Sequence, residues 1–393
     1  MTDWQELDKK YIMNYINRIP VTLVRGEGAR VWDDNGREYL DFVGGTAVNS
    51  LGHCHPVVIE AVTEQAQVLT QASALYYSVP QVKLAQLLVE NSCLDKAFIC
   101  NSGTEANEGA VKLARRYGHL KLNGAYEVIT TKNSFHGRTL VMTAATGQEN
   151  MQKPYVPLPP GFKHVAYSDI EAIKAATTDR TCAIMLEPIQ GEGGVNVPDD
   201  DYLSKVRAWC DEKGILLILD EIQTGVGRIG SLFGYQEYGV EPDIMSLAKG
   251  MGSGIPIGAF LAKDSAAVFV PGDHGSTFGG NALTCAVAYA VIKYIVENNI
   301  AGNAKKVGQY LIEGLKGLQQ KYPFITDVRG RGLLVAIGLD RDISQEVMMA
   351  CLERGLLVNR VKPNALRFIP PLIIGNSEVD EALGILDKAL STV

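Results

Sequence analysis

Short apolar runs alternate with helical patterns between about residues 96 and 263. Runs with apolar residues on both faces are typical of strands that are covered on both sides of a sheet. The predicted strands cover residues 97–100, 126–130, 182–186, 215–219 and 243–249. Because strands that alternate with helices usually form mostly parallel sheets, the pattern predicts an α/β fold that binds ligands at the carboxyl ends of its strands.

Helical periodicity accounts for the segments between the strands. Residues 104–117 place Ala106, Ala110 and Ala114 on one face of a predicted helix. Gly214 is a typical helix-ending residue after a segment that begins with aspartates. Further helices are predicted over residues 56–69, 80–90, 169–176, 199–213 and from about 280 to 295.

The pattern divides the chain into three regions. Residues 1–45 form an N-terminal arm and a hairpin, and we expect both to associate with the small domain. Residues 46–299 contain the alternating pattern and form the predicted large domain, which holds the ligand. Residues 300–393 combine helices with short strands and are predicted to form a smaller α+β domain at the C-terminus.

Composition excludes several classes of protein. The chain has 393 residues, 46% of them hydrophobic, and a net charge of −7 without a basic run, so nucleic acid is not an expected partner. The seven cysteines are scattered without a CxxC pair, which indicates reduced thiols and no metal site. No apolar run has membrane-spanning length and the first residues are polar, so we expect a soluble cytoplasmic protein.

Two charged residues lie at the ends of neighbouring predicted strands. Asp220 follows the strand over 215–219, and Lys249 is the last residue of the predicted strand over 243–249. Strand-end aspartates often cap helices, and a lysine there commonly reaches solvent. A carboxylate and a desolvated amine at one sheet edge, however, suit pyridoxal phosphate, whose ring nitrogen needs an acid and whose aldehyde needs a lysine.

Three further stretches supply complementary groups. Ser102, Gly103 and Thr104 open a predicted helix, where free amides and the helix dipole favour a phosphate. Phe135 is able to stack on a planar ring, and Arg138 is able to bind a carboxylate. Each signal alone is weak, because helix starts, core aromatics and surface arginines are common.

These motifs occur together in the order seen in the class III aminotransferases, which the sequence resembles from about Arg18 to the C-terminus. The resemblance rests on residues 102–107 (SGTEAN), 135–139 (FHGRT), 187–194 (EPIQGEGG), 220–228 (DEIQTGVGR) and 247–250 (LAKG). Members of this family depend on pyridoxal phosphate and have the aspartate aminotransferase-type fold, fold type I. The resemblance therefore implies this cofactor and this fold.

The resemblance also implies roles at the cofactor. Lys249 corresponds to the lysine that carries the cofactor and shuttles a proton, and Asp220 to the partner of the ring nitrogen. Gln223 is similar in position to the residue that bonds the ring hydroxyl, and Phe135 to the stacking aromatic. Ser102, Gly103 and Thr104 match the phosphate-binding turn.

Other positions correspond to residues that contact the substrates. Thr277 matches a residue that reaches the phosphate of the other subunit, which implies a homodimer with shared active sites. Arg138 resembles the clamp for the α-carboxylate of the substrate, and Ser276 lies where the donor is contacted. Glu192 and Arg367 resemble a pair that opens when Arg367 binds the carboxylate of 2-oxoglutarate or glutamate.

Within the family, residues 24–28, 101–107, 274–281 and 366–372 are most similar to members that act on N2-acetyl-L-ornithine. The expected reaction transfers the ω-amino group of that donor to 2-oxoglutarate. Ile16 and Thr46 differ from the residues that are common at the substrate entrance of the family. Ornithine, succinylornithine and 4-aminobutyrate therefore stay open as donors. Two alternative functions also stay open, a glutamate-1-semialdehyde aminomutase and a scaffold without activity.

Overall fold

The computed structural model describes residues 3–393, which form three β-sheets. The described strands are β1 (Leu23–Glu27), β2 (Arg30–Asp33), β3 (Glu38–Asp41), β4 (Lys96–Cys100), β5 (Glu127–Thr131), β6 (Phe162–Val165), β7 (Thr181–Leu186), β8 (Leu216–Asp220), β9 (Ile244–Leu247), β10 (Gly258–Ala262), β11 (Ile325–Arg331), β12 (Leu334–Leu339), β13 (Leu356–Leu357), β14 (Asn359–Lys362) and β15 (Ala365–Phe368).

Helices connect and cover these strands. They are α1 (Trp4–Tyr11), α2 (Gly44–Ala47), α3 (Pro56–Ala66), α4 (Val79–Glu90), α5 (Gly103–Lys121), α6 (Leu140–Ala145), α7 (Glu149–Gln152), α8 (Ile170–Ala176), α9 (Tyr202–Lys213), α10 (Tyr235–Tyr238), α11 (Ala282–Glu297), α12 (Ile300–Lys321), α13 (Ser344–Leu352) and α14 (Asn376–Leu390). The short α2 is a turn in which Gly45 and Thr46 have left-handed backbone angles. No helix within residues 3–393 is both long enough and apolar enough to cross a membrane.

The central sheet has seven strands in the order β4-β10-β9-β8-β7-β5-β6. Neighbouring strands from β9 to β6 run parallel, and β10 runs antiparallel to both β9 and β4. The predicted mostly parallel sheet is therefore confirmed. The sequence pattern did not single out β10, whose insertion makes the sheet mixed.

Both faces of the central sheet are covered, and β8 shows how the chain achieves this. Leu217 and Leu219 pack into the cluster that contains α9 and α11 residues. Leu216 and Ile218 pack into a second cluster with α5. Side chains of a strand alternate between the two faces, so a continuously apolar strand is what a sheet between two helical layers requires.

The C-terminal part of the chain forms an antiparallel sheet in the order β11-β12-β15-β14. Its apolar side chains share a cluster with α12, α13 and α14. The N-terminal strands β1 to β3 form the third sheet, and β13 joins it in parallel to β3 with Leu40 opposite Leu356. This pairing links the hairpin to the C-terminal part, while the boundaries at residues 45 and 299 stay predictions.

The predicted elements differ from the observed ones mainly at their ends. The helix predicted from residue 199 begins at Tyr202, and the helix predicted from residue 104 continues to Lys121. Strand β9 ends at Leu247, so Lys249 is not its terminal residue. Instead, Lys249 begins a short 3-10 turn with a φ of 42°.

A glycine in α12 permits close packing of this helix on the turn before β12. A Cβ atom at Gly308 would overlap the backbone carbonyl of Gly332. We expect Gly308→Ala to destabilise the protein by about 1–3 kcal/mol, because the backbone cannot move aside cheaply. Gly317, which is exposed on the same helix with no atom near the added methyl group, provides the control.

The measurement is the midpoint of thermal unfolding of the three proteins. Gly317→Ala should raise it slightly, because alanine is favoured over glycine in helices by roughly 0.5–1 kcal/mol. A Gly308→Ala protein as stable as Gly317→Ala would contradict the packing described for α12.

Candidate active site

A cavity of about 370 Å³ lies at the carboxyl ends of five strands of the central sheet, β4, β5, β7, β8 and β9. These strands all run in the same direction, because β10 is antiparallel to both β4 and β9. The segments that follow them therefore meet at one edge, as the sequence pattern predicts. The residues predicted at the cofactor that line this cavity are Ser102, Gly103, Thr104, Phe135, Asp220, Gln223 and Lys249.

Lys249 lies in the wall of the cavity. Burial lowers the pKa of its ammonium group, while the negative charge of Glu192 acts in the opposite direction. A lysine with a lowered pKa has more of the uncharged amine, which is the nucleophilic form. Its position therefore suits reaction with an aldehyde and transfer of protons.

Asp220 is buried at the end of β8 and is held by several hydrogen bonds. Its Oδ2 accepts from Asn107 Nδ2 at 2.7 Å and lies 2.7 Å from His136 Nδ1. Its Oδ1 accepts from the backbone amide of Ile222 at 3.1 Å. Hydrogen bonds that are donated to a carboxylate favour its charged form, so this network supports an anion inside the protein.

Asn107 fixes this network from the side of α5. Its Nδ2 also donates to the His136 carbonyl at 2.8 Å, and its Oδ1 accepts from Ser246 Oγ at 2.5 Å. Ser246 belongs to β9, so the amide of one asparagine joins α5 to two neighbouring strands. The sequence analysis did not assign a role to Asn107 or His136. For Asn107 a signal was present, because it is a polar residue beside the buried Ala106 and Ala110 of the same helix.

The start of α5 forms the part of the cavity that suits an anion. Ser102 caps the helix, and its Oγ accepts from the amide of Glu105 at 3.2 Å. A Cβ atom at Gly103 would lie 2.7 Å from Ile222 Cδ1, so a larger residue would require the Ile222 side chain to move. The first turn of a helix has amides without intrahelical partners and the positive end of the helix dipole.

The donor set fits pyridoxal phosphate. The cavity combines a buried carboxylate for a ring nitrogen, a buried amine for an aldehyde, a helix start for a phosphate and the Phe135 ring for stacking. A metal or a nucleotide would not need this combination of amine and carboxylate on two neighbouring strands.

Glu187 is a second buried carboxylate at the cavity and follows β7 directly. It accepts hydrogen bonds from the amides of Phe135 and Gly191, each at 3.0 Å. Burial raises the pKa of its carboxyl group. The sequence analysis missed this residue, although its position after an apolar strand is the same signal that identified Asp220.

Arg367 and Glu192 form an ion pair at one side of the cavity. Arg367 is only 1% exposed, and its Nη1 donates to Glu192 Oε1 at 2.7 Å and to Gln223 Oε1 at 2.9 Å. Gln223 Nε2 completes the triangle with a 3.2 Å hydrogen bond to Glu192 Oε1. Burial by itself would raise the pKa of Glu192, but the charges of Arg367 and Lys249 outweigh it and lower this pKa to about 2.

Arg138, Ser276 and Thr277 are not among the described residues that line the cavity. Arg138 is exposed, with its guanidinium 5.3 Å from the centre of the Phe135 ring. Ser276 Oγ accepts from Asn101 Nδ2 at 3.1 Å, so it lies beside the segment that leads into α5. Thr277 is exposed.

The two positions that depart from the family pattern also lie outside the cavity wall. Ile16 is exposed on the N-terminal arm. Thr46 has a φ of 63° in α2, two residues before Val48, which does line the cavity. A β-branched residue with a left-handed backbone is uncommon, so α2 is a strained turn beside the site.

Comparison with known proteins adds independent observations. The family model described as aminotransferase class-III matches residues 11–390. An acetylornithine aminotransferase from Caldanaerobacter subterraneus subsp. tengcongensis is 53% identical over 387 residues, which cover 98% of this chain and 98% of that protein. An acetylornithine aminotransferase from Methanocaldococcus jannaschii is 48% identical, with 100% of this chain and 98% of that protein covered.

Solved structures show the same likeness. The ornithine aminotransferase from Toxoplasma gondii ME49 has a TM-score of 0.96 at 36% identity, with 99% of this chain and 94% of that chain covered. The N-acetylornithine aminotransferase from Stenotrophomonas maltophilia K279a has a TM-score of 0.85 at 36% identity, with 98% of each chain covered.

Glu221, next to Asp220, provides a test of the electrostatics beneath the cavity. It is fully buried and accepts hydrogen bonds from the amides of Gly234 and Tyr235. Burial raises the pKa of its carboxyl group to about 7. The unfolded chain loses this proton above about pH 4.3, so the contribution of Glu221 to stability decreases between about pH 4.5 and pH 7.

We expect the stability of the wild type relative to Glu221→Gln to fall by up to about 3 kcal/mol over this range, because glutamine cannot ionise. Urea unfolding of both proteins at about pH 5 and about pH 8 measures this difference. Glu212→Gln, on the exposed surface of α9, is the control and should change the stability equally at both pH values. A Glu221→Gln difference that does not depend on pH would contradict the prediction.

Proposed function

The chain belongs to the class III aminotransferases, which depend on pyridoxal phosphate and have the type I fold, and on this premise we propose that it transfers the ω-amino group of N2-acetyl-L-ornithine to 2-oxoglutarate. The products are N-acetyl-L-glutamate 5-semialdehyde and L-glutamate, in a step of arginine biosynthesis. The observation that carries the proposal is the buried Arg367–Glu192 pair beside Lys249. The reacting carbon of the donor carries no carboxylate, whereas that of 2-oxoglutarate does, so an arginine beside Lys249 needs a counterion that is able to move.

Lys249, Asp220, Phe135, Gln223 and the turn from Ser102 to Thr104 are the residues that would hold the cofactor. When bound, pyridoxal phosphate supplies an electron sink for the carbon from which a proton is removed. Asp220 would keep a proton on the ring nitrogen of the bound cofactor, and Asn107 and His136 hold this carboxylate in place.

Lys249 has two tasks in the proposal. With the cofactor bound, its Nζ would hold the cofactor aldehyde until a substrate amine takes its place. The freed amine would then accept a proton from the amine-bearing carbon of the substrate and hold it for return. The lowered pKa of Lys249 favours this general-base role, because an amine accepts a proton only when it is unprotonated.

Substrate recognition is assigned to two regions. Arg138 binds the α-carboxylate of the donor, and Ser276 contacts the donor near the helix start. Glu192 pairs with Arg367 while the donor is bound. When 2-oxoglutarate enters, Glu192 moves away and Arg367 binds a carboxylate of this substrate in a bidentate manner.

A homodimer with shared active sites is the proposed assembly. Helix α1 buries none of its residues, and exposed apolar side chains continue along the arm and again around residues 68–82. They include Tyr11, Met13, Tyr15, Val68, Leu75, Tyr76 and Tyr77. Exposed apolar surface of this extent is typical of an interface, and the exposed Thr277 is available to a second copy. We place this dimer in the cytoplasm.

Ornithine is the second candidate donor. The structural likeness to the ornithine aminotransferase from Toxoplasma gondii ME49 favours it, at a TM-score of 0.96. The higher identity of 53% to an acetylornithine aminotransferase over 98% of the chain favours the acetylated donor.

Replacement of Lys249 tests the chemistry independently of the donor. We expect the purified wild type to be yellow, and borohydride to bleach it, because Lys249 is covalently attached to the cofactor. Lys249→Ala should lack this colour and lose turnover by roughly 10²–10⁴-fold or more, since it removes the general base. Lys96→Ala, at an exposed lysine, is the control and should keep both the yellow colour and the turnover. Unchanged spectra in Lys249→Ala would refute the assignment of this lysine.

The donor is tested by single half-reactions, in which each amine is mixed with the enzyme and the change in cofactor absorbance is followed. We expect N2-acetyl-L-ornithine to react faster than ornithine, succinylornithine and 4-aminobutyrate. Faster reaction with ornithine would select the second candidate. Product formation from glutamate-1-semialdehyde without 2-oxoglutarate would indicate an aminomutase instead.

A further inference from the structure

Asn359 holds the side of Arg367 that faces away from Glu192. The two residues are directly opposite each other in the antiparallel pairing of β14 with β15, so their side chains share one face of the sheet. Asn359 Oδ1 accepts hydrogen bonds from Arg367 Nε at 3.0 Å and from Arg367 Nη2 at 2.7 Å. One neutral amide oxygen thus orients the guanidinium plane.

The side-chain acceptors around Arg367 differ in charge. Its Nη1 donates to Glu192 and Gln223, and its Nε and Nη2 donate to Asn359. Within the described residues, Glu192 is the one carboxylate among these three hydrogen-bond acceptors. Removal of Glu192 therefore leaves a guanidinium that is still oriented but has no anionic hydrogen-bond partner.

A second buried arginine adds positive charge near Arg367. Arg228 is 2% exposed, and its Nη1 donates to the carbonyls of Leu333 and Pro370 at 3.0 and 2.6 Å. Burial and the positive charge of Arg367 lower the pKa of Arg228 to about 9. Arg228 thus adds a second guanidinium near Arg367, while Glu192 is the one carboxylate among the acceptors of Arg367, a balance that suits an anionic ligand group.

We propose that Asn359 is a positioning residue for the second substrate, because its neutral amide orients Arg367 without neutralising it. This inference rests on the proposed function and extends it to the recognition of a dicarboxylate. An aspartate at this position has nearly the same shape and is able to accept the same two hydrogen bonds. It would add a permanent negative charge, which would compete with a carboxylate of 2-oxoglutarate for Arg367.

Asn359→Asp is therefore the decisive variant. We expect the apparent dissociation constants of 2-oxoglutarate and of glutamate to rise roughly ten-fold or more in their half-reactions, since hydrogen bonds to charged groups are strongly affected by competing charge. The N2-acetyl-L-ornithine half-reaction should change by less than about three-fold, because Glu192 already occupies Arg367 there. Asn364→Asp, exposed in the turn between β14 and β15, adds the same charge and should change neither half-reaction.

A purely structural role predicts a different result. Because aspartate preserves the geometry, it would leave both half-reactions unchanged, and that outcome would overturn the proposal. Equal weakening of both half-reactions would also overturn it. The glutamate half-reaction tests the role of Asn359 even if N2-acetyl-L-ornithine proves not to be the donor. Failure of the proposed function is therefore distinguishable from failure of this inference.

Binding of glutarate gives a readout without chemistry. Isothermal titration calorimetry of the purified holoenzyme should show roughly ten-fold weaker glutarate binding in Asn359→Asp and unchanged binding in Asn364→Asp. Asn359→Ser keeps the position neutral and serves if Asn359→Asp does not fold. Because serine is too short to accept both hydrogen bonds of Arg367, the positioning role predicts weaker glutarate binding in this variant as well, and unchanged glutarate binding would overturn the proposal.

Discussion

The hydrogen bonds to Asp220 tie together parts of the chain that are distant in sequence. Asn107 brings the start of α5 to this carboxylate, and His136 brings the segment after β5. Through Ser246, the same network includes β9, the strand that leads to Lys249. A buried carboxylate is costly unless such partners surround it, so the fold and the site depend on the same contacts.

The site also solves a problem of charge. A single cavity has to accept a donor with one carboxylate and then 2-oxoglutarate with two. In the proposal Glu192 is the movable member of the pair, and its side chain is 30% exposed whereas that of Arg367 is 1% exposed. Neutral acceptors, the amides of Gln223 and Asn359, hold the arginine in either case. Orientation and neutralisation are thus performed by different residues.

Sequence reasoning recovered what depends on local pattern. Apolar strands and the polar residues that follow them were sufficient to predict the parallel sheet and the positions of Asp220 and Lys249. Glu187 carries the same signal and was overlooked. Asn359 has no such signal, because its role depends on the register of β14 against β15 across an irregular pairing. Nor does sequence periodicity indicate that Lys249 lies after its strand with a left-handed backbone, because the turn geometry depends on the packing around it.

The pairing of β3 with β13 has a consequence for the synthesis of the protein. The hairpin of β2 and β3 is translated before the central sheet, whereas Leu356 and Leu357 are translated after it. Until then, the edge of β3 lacks this partner strand, and an open strand edge is able to pair with other chains. The nascent hairpin therefore has to be kept from pairing with other chains, for example by a chaperone, while the central sheet is made.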